Sequence, residues 1–175
     1  MMSSTPEPSS GDLPENVENL LHGNRLKRGV ATPESIAALW QKAVESAQDS
    51  ELPGMSIDGA LRAAYGAGHV AALALLAAYD LRTGSGAGHH EVAFSAAAAL
   101  GGEDLKDLVP DSIEVRGLRH GSMYDPRKAT TEDRDHALEW MRRTLPAFRR
   151  AILAKSPSLS DRLANYPPKR RGLKP

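Results

Sequence analysis

Between Ser56 and Leu81 the apolar residues Ile57, Leu61, Ala64, Tyr65, Gly68, Ala72, Leu75, Leu76 and Tyr79 recur at helical spacing, which predicts a long core helix. Ser56 suits its N-cap, since a serine hydroxyl can accept from the first free backbone N–H groups. Gly66 and Gly68 lie inside that helix, where each costs roughly 1 kcal/mol against alanine. Glycine retained at such a cost implies a close helix–helix approach, or a backbone brought near a ligand.

The flanking segments repeat the helical pattern. A short helix is predicted over 14–22. Thr32 caps a second helix with Pro33 in its first position, and Ile36, Leu39, Trp40, Ala43 and Ala47 form its apolar stripe. Leu52-Pro53-Gly54 breaks the chain before the core helix. The Gly/Ser-rich loop 83–88 follows it, then a short helix from His89 to about Leu100, ended by Gly101-Gly102. A further helix is expected from Asp111 or Ser112 to Asp125-Pro126. Thr130 or Thr131 caps the last long helix, whose apolar positions include Ala137, Leu138, Met141, Leu145, Phe148 and Ile152, with Pro146 predicting a kink.

Alanine and leucine dominate and aromatics make up 5% of the 175 residues, a balance that favours an all-α domain. The reading is one helical bundle of four to five helices over 13–166, an N-terminal segment 1–12 disordered, and a basic tail over 167–175. The chain has no cysteine, so disulfides and thiolate metal sites are excluded. A formal net charge of zero argues against a general nucleic-acid coat, so any such site must be local. The apolar stretch 70–79 is too short to span a membrane, and 1–11 lacks the order of a signal peptide; a cytoplasmic protein without membrane association is expected.

The segment Arg-Gly-Leu-Arg-His-Gly-Ser-Met-Tyr-Asp-Pro over 116–126 carries the most chemistry. Arg116, Arg119 and His120 fall at i, i+3 and i+4 on one helical face, and Tyr124 extends the strip. Two guanidiniums, an imidazole and a phenol suit a phosphate or an RNA backbone better than a hydrophobic core. The plainer reading pairs Arg116 and Arg119 with Glu114, Asp111 or Asp125 at the surface. Tyr65 and His69, one turn apart on the core helix, either line the same site or sit half-buried in the packing. His89-His90 raises a metal site, but adjacent helical residues diverge and no third ligand stands at suitable spacing. No metal or cofactor is expected. The loop 83–88 lacks the ending of a phosphate-binding P-loop, and no strand–helix alternation supports a dinucleotide fold.

Three passages together resemble the HEPN superfamily of small helical bundles: Ala64-Tyr65-Gly-Ala-Gly-His69 with the alanine-leucine run after it, Gly86-Ala-Gly-His89-His90-Glu91, and 116–125 with the long helix that follows. They cover roughly residues 17–154. The RNA-cleaving members carry an Arg, a polar residue, three more residues and a His; here Arg119 and His120 match the first two and Tyr124 stands where that His would be.

The resemblance implies an up-and-down bundle that homodimerises and pairs two Arg119-centred motifs across a cleft for RNA or a nucleotide phosphate. It implies, for an active member, a metal-independent endoribonuclease of a toxin–antitoxin or defence system, with a nucleotidyltransferase-type antitoxin as partner. The expected catalytic residues are Arg119, His120 and Tyr124, and the expected phosphate-binding residues Arg116, Arg119, His69 and Tyr65. A tyrosine, with an ordinary pKa near 10, is a poor base, whereas an imidazole near 6.5 suits the task. A non-catalytic protein-binding module and a purely structural helical protein are the alternatives.

Overall fold

The structure, a computed structural model, describes residues 13–124 and 129–167, and side chains among these except those of 120–124. The order is α1 (Glu15–His22), β1 (Leu26–Arg28), α2 (Pro33–Ser50), α3 (Ile57–Ala78), β2 (Leu81–Thr83), α4 (His89–Gly101), α5 (Leu108–Tyr124) and α6 (Thr131–Lys155). Short 3-10 turns at Gly102–Leu105 and Pro157–Leu159 follow α4 and α6. The chain is an all-α bundle. It has six α-helices among the described residues, one for each of the six helical segments read along the sequence.

Local chemistry sets most boundaries. Thr32 and Thr130 each close a capping box, accepting from the backbone N–H of Ser35 and Asp133 while those side chains accept from the cap's own N–H. Ser56 accepts from Gly59 N at 3.1 Å and opens α3. Two boundaries differ from expectation. α5 starts at Leu108, not at 111 or 112, because Pro110 falls in the first turn, where a helix has no use for the missing N–H. Ser112 is buried, and its hydroxyl donates to Val109 O at 2.8 Å instead of capping the helix.

The second difference is a small two-stranded antiparallel sheet pairing Leu26 with Thr83, Lys27 with Arg82 and Arg28 with Leu81, in segments expected to be helix or loop. Asn24 and Asp80, at φ 55° and 54°, turn the chain out of α1 and α3 into these strands. Asparagine and aspartate are the non-glycine residues that tolerate this left-handed conformation best. Asp80 then fastens the corner: its Oδ1 accepts from Ala31 N at 3.0 Å and its carbonyl from Gly29 N at 2.9 Å. Leu81, expected at the end of the core helix, is buried as a strand residue.

α3 is the hub. It packs most extensively on α2 and α6 and also meets α4 and α5. By length and composition it alone among the described helices is apolar enough to cross a membrane, contrary to the expectation from 70–79, but 67% of its apolar window is buried by neighbouring helices. That is the signature of a core helix. Across its interface with α2, Ser46 Oγ donates to Ala63 O at 3.0 Å. Trp40, fully buried, donates its indole N–H to Ala164 O at 2.7 Å and ties the segment after α6 to α2. The basic-tail residues 168–175, the segment 1–12 and the helix end expected at Asp125-Pro126 lie outside the described residues.

Candidate functional site

α3, α4 and α5 meet at a junction built from rings and guanidiniums. α3 presents Tyr65 and His69 one turn apart. Between them Gly68 leaves room for Trp140 of α6, which lies against the helix where a side chain would otherwise stand. α4 begins at Gly88, left-handed at φ 78°, and projects His89, His90, Glu91 and Phe94 from its first two turns. α5 adds Arg116 and Arg119 from the same face.

The rings form a column. Those of His69 and His90 are face to face, with centroids 3.7 Å apart and planes 6° from parallel. His90 stacks in turn near Tyr65 (5.8 Å, 9°), and Tyr65 near Trp140 (6.4 Å, 21°). Phe94 meets Tyr65 and Trp140 edge-on, at 5.6 and 6.2 Å. The exposed His89 ring meets His90 edge-on at 4.4 Å. Such offset and edge-to-face contacts lock ring orientation as well as burying area.

The cations come from α5. The Arg119 guanidinium carbon lies 5.3 Å from the Tyr65 ring centroid, a cation–π contact over a buried ring. Arg116 forms an ion pair from Nη1 to Glu91 Oε1, linking α5 to the first turn of α4. Two of the surface partners expected for these arginines are engaged otherwise, Asp111 with Arg143 and Glu114 with His136 at 3.4 Å, and the third, Asp125, lies outside the described residues.

Burial and like charge decide the protonation states. Burial above all, then the neighbouring His90, His89 and Arg119, push the His69 pKa down to about 4. His90 is lowered for the same reasons, with burial first, then His89, Arg119 and Arg116. Burial raises the Tyr65 phenol against the opposing pull of Arg116 and Arg119. At neutral pH the column is therefore uncharged, and the arginines carry the positive charge. His69 Nε2 is buried with no hydrogen-bond partner among the described residues, an unusual state for a polar atom.

Four of the six residues singled out in the sequence, Arg116, Arg119, Tyr65 and His69, come together here. His120 and Tyr124 lie in the last two turns of α5, and their side chains are outside the described residues. The sequence reading missed His90, Phe94 and Trp140 as site-lining groups. A signal was present: Tyr65/His69 and His90/Phe94 are both ring pairs at i, i+4, the spacing that lets two helices interleave their rings.

Among the described residues no group of three or more His, Cys, Asp or Glu side chains is arranged to hold a metal ion. Parallel imidazoles at 3.7 Å offer each other their faces, and their nitrogen lone pairs do not converge on a point. A separate cavity of about 330 Å³, lined by Glu51, Leu52, Met55, Arg134 and Arg142 among others, shares no residue with this junction. Its arginines are already engaged, Arg142 by Glu51 and Arg134 by Asp135 at 2.8 Å.

No family model, curated protein or solved structure matches the chain.

Proposed function

We propose that the chain is a HEPN-like protein that binds RNA or a nucleotide phosphate at the α3–α4–α5 junction. The observation that carries this reading is Arg119 over Tyr65, beside a column of ordered rings. A guanidinium fixed by a buried ring is oriented before a phosphate arrives, and its planar fork matches phosphate oxygens. Arg116, through its pair with Glu91, sets the position of α5 and adds local positive potential. The protein acts in the cytoplasm as a homodimer with two such motifs facing one cleft, alongside a nucleotidyltransferase-type antitoxin.

Cleavage at this site is metal-independent transesterification. A base takes the ribose 2′-hydroxyl proton, the oxygen bonds to phosphorus, and the bond to the 5′ oxygen breaks as that oxygen gains a proton. Arg119 holds the charge that builds on the phosphoryl oxygens, His120 orients the phosphate or serves as the base, and Tyr124 fixes the helix end.

A non-catalytic module is the second reading, favoured by one observation. Burial holds both His69, at about 4, and His90 below the ordinary imidazole value, so neither ring of the column is a strong base and the enzyme reading depends on His120 alone.

The test is a labelled structured RNA with wild type and Arg119→Ala in EDTA, following binding and cleavage together. Arg119→Ala is expected to weaken binding about tenfold or more and to flatten its salt dependence by about one ion. Cleavage by the wild type supports the enzyme; binding without cleavage supports the module. Wild type and variant alike in both assays would remove both readings.

A further inference from the structure

Among the described residues, the junction gathers basic groups around the carboxylate of Glu91. His90 faces, from α3, Tyr65 and His69; from α4, His89 and Glu91; from α5, Arg116 and Arg119. Arg25 reaches the same end of α4, its Nη2 3.1 Å from where a Cβ on Gly88 would stand. α6 contributes the uncharged Trp140. The carboxylate, Glu91, is held by Arg116.

We propose that this junction takes up a proton together with its phosphate ligand, His90 becoming imidazolium as the anion docks beside Arg119, so that RNA binds more tightly as pH falls. The inference rests on the phosphate-binding reading above and adds its regulation.

Geometry argues for it in three ways. First, His69 and His90 are stacked too closely for both to be charged, so the pair accommodates one proton, and His90 is the less buried of the two. Second, what keeps that proton off in the free protein is burial plus the repulsion of His89, Arg119 and Arg116. An anion seated among those cations cancels the repulsive part. Third, the buried Nε2 of His69 has no hydrogen-bond partner among the described residues, so a proton placed there would leave a buried charged N–H unsatisfied, and the proton goes to His90.

Linkage makes the effect reciprocal: if the anion raises the affinity of His90 for a proton, the proton raises the affinity for the anion by the same factor. One proton taken up on binding steepens affinity by at most about tenfold per pH unit. The sign is fixed. A histidine whose pKa is higher in the complex than in the free protein strengthens binding below the bound value, and the gain ends once the free protein is itself protonated.

The experiment titrates a fluorescein-labelled single-stranded RNA of mixed sequence into the protein at constant ionic strength at about pH 7.5, 6.5 and 5.5, values that straddle the ordinary imidazole pKa. Circular dichroism at each pH confirms that the helices persist. Wild type is expected to tighten at least about fivefold across the range. His90→Gln is expected to tighten less than about twofold, and a His22→Gln/His136→Gln double variant to keep the wild-type slope.

Should His90→Gln fail to fold, the His90 ring pKa in the wild type, followed by NMR with and without RNA, answers instead. It is expected to rise by about one unit on binding. RNA binding that depends on Arg119 but does not change with pH, a His90 pKa unmoved by RNA, or an equal slope in His90→Gln would overturn the proton linkage and leave the binding reading standing. No binding at any pH would overturn both.

Discussion

The indole of Trp140 occupies the space beside Gly68 on α3: a Cβ at residue 68 would come within 2.9 Å of Cζ3 and closer still to Cη2. Because Trp140 also stacks near Tyr65, this contact between α3 and α6 sets one end of the ring column beneath Arg119. The glycine is thus a structural requirement of the candidate site.

Gly68→Ala should destabilise the bundle by about 2–3 kcal/mol, since the rigid indole cannot yield without moving its neighbours. Gly66, two residues earlier, gives a contrast: its added Cβ would meet only Ser46 Oγ at 3.5 Å. Gly66→Ala should be neutral or stabilise by up to about 1 kcal/mol through helix propensity. Urea denaturation of both variants measures the difference. Equal effects would mean that Trp140 does not pack on α3 as described.

Asp80 carries two duties, a left-handed backbone and an acceptor for Ala31 N. Asp80→Ala should cost about 1–2 kcal/mol. Asp80→Asn keeps both the conformation and an amide oxygen, and should stay within about 0.5 kcal/mol of wild type. Thermal melts of the two variants compare them directly, and a loss in Asp80→Asn as large as in Asp80→Ala would show that the carboxylate charge matters more than the turn.

Histidine 69 makes the fold acid-sensitive. Its folded pKa of about 4 lies below the ordinary 6.5, so the unfolded chain binds the proton first. Stability is full above about pH 6.5, declines as pH falls below that, and stops declining near the folded value. Allowing for partial exposure, the loss from about pH 7 to about pH 5 is on the order of 1–2 kcal/mol, and the lowered His90 adds to it with the same sign. Denaturation midpoints across this range should fall in wild type and fall less in His69→Leu. A pH-independent wild type would contradict the burial assigned to this ring.

Much of the helical frame was readable because it depends on local chemistry. Thr32, Ser56 and Thr130 announced three helix starts, and Gly101-Gly102 one end, through hydrogen-bonding and backbone preferences that act within a few residues. The two-stranded sheet was not readable in this way. Its strands are three residues each, lie 55 positions apart, counted from Leu26 to Leu81, and gain their partners only when the corner at Asp80 forms. The start of α5 reads three or four residues late, at Asp111 or Ser112, because polar residues that often cap helices lie there inside its first turns.

At the site, the shared face of Arg116 and Arg119 followed from spacing alone. Their real partners, Glu91 and Tyr65, come from other helices, 25 and 54 residues away in sequence. The pairing of two imidazoles across α3 and α4 is likewise a product of packing. Spacing showed that Tyr65 and His69 share a face, but not that His90 would lie between them and the solvent-facing His89.

The claim that the junction is where phosphate binds is tested most directly by the ring signals of the wild-type protein during titration with single-stranded RNA. The account predicts that the Tyr65, His89 and His90 resonances shift progressively, while those of His22 and of Tyr79, which packs under Lys155 instead, stay in place. Unchanged ring signals at the junction with RNA bound, or shifts confined to another face, would contradict it.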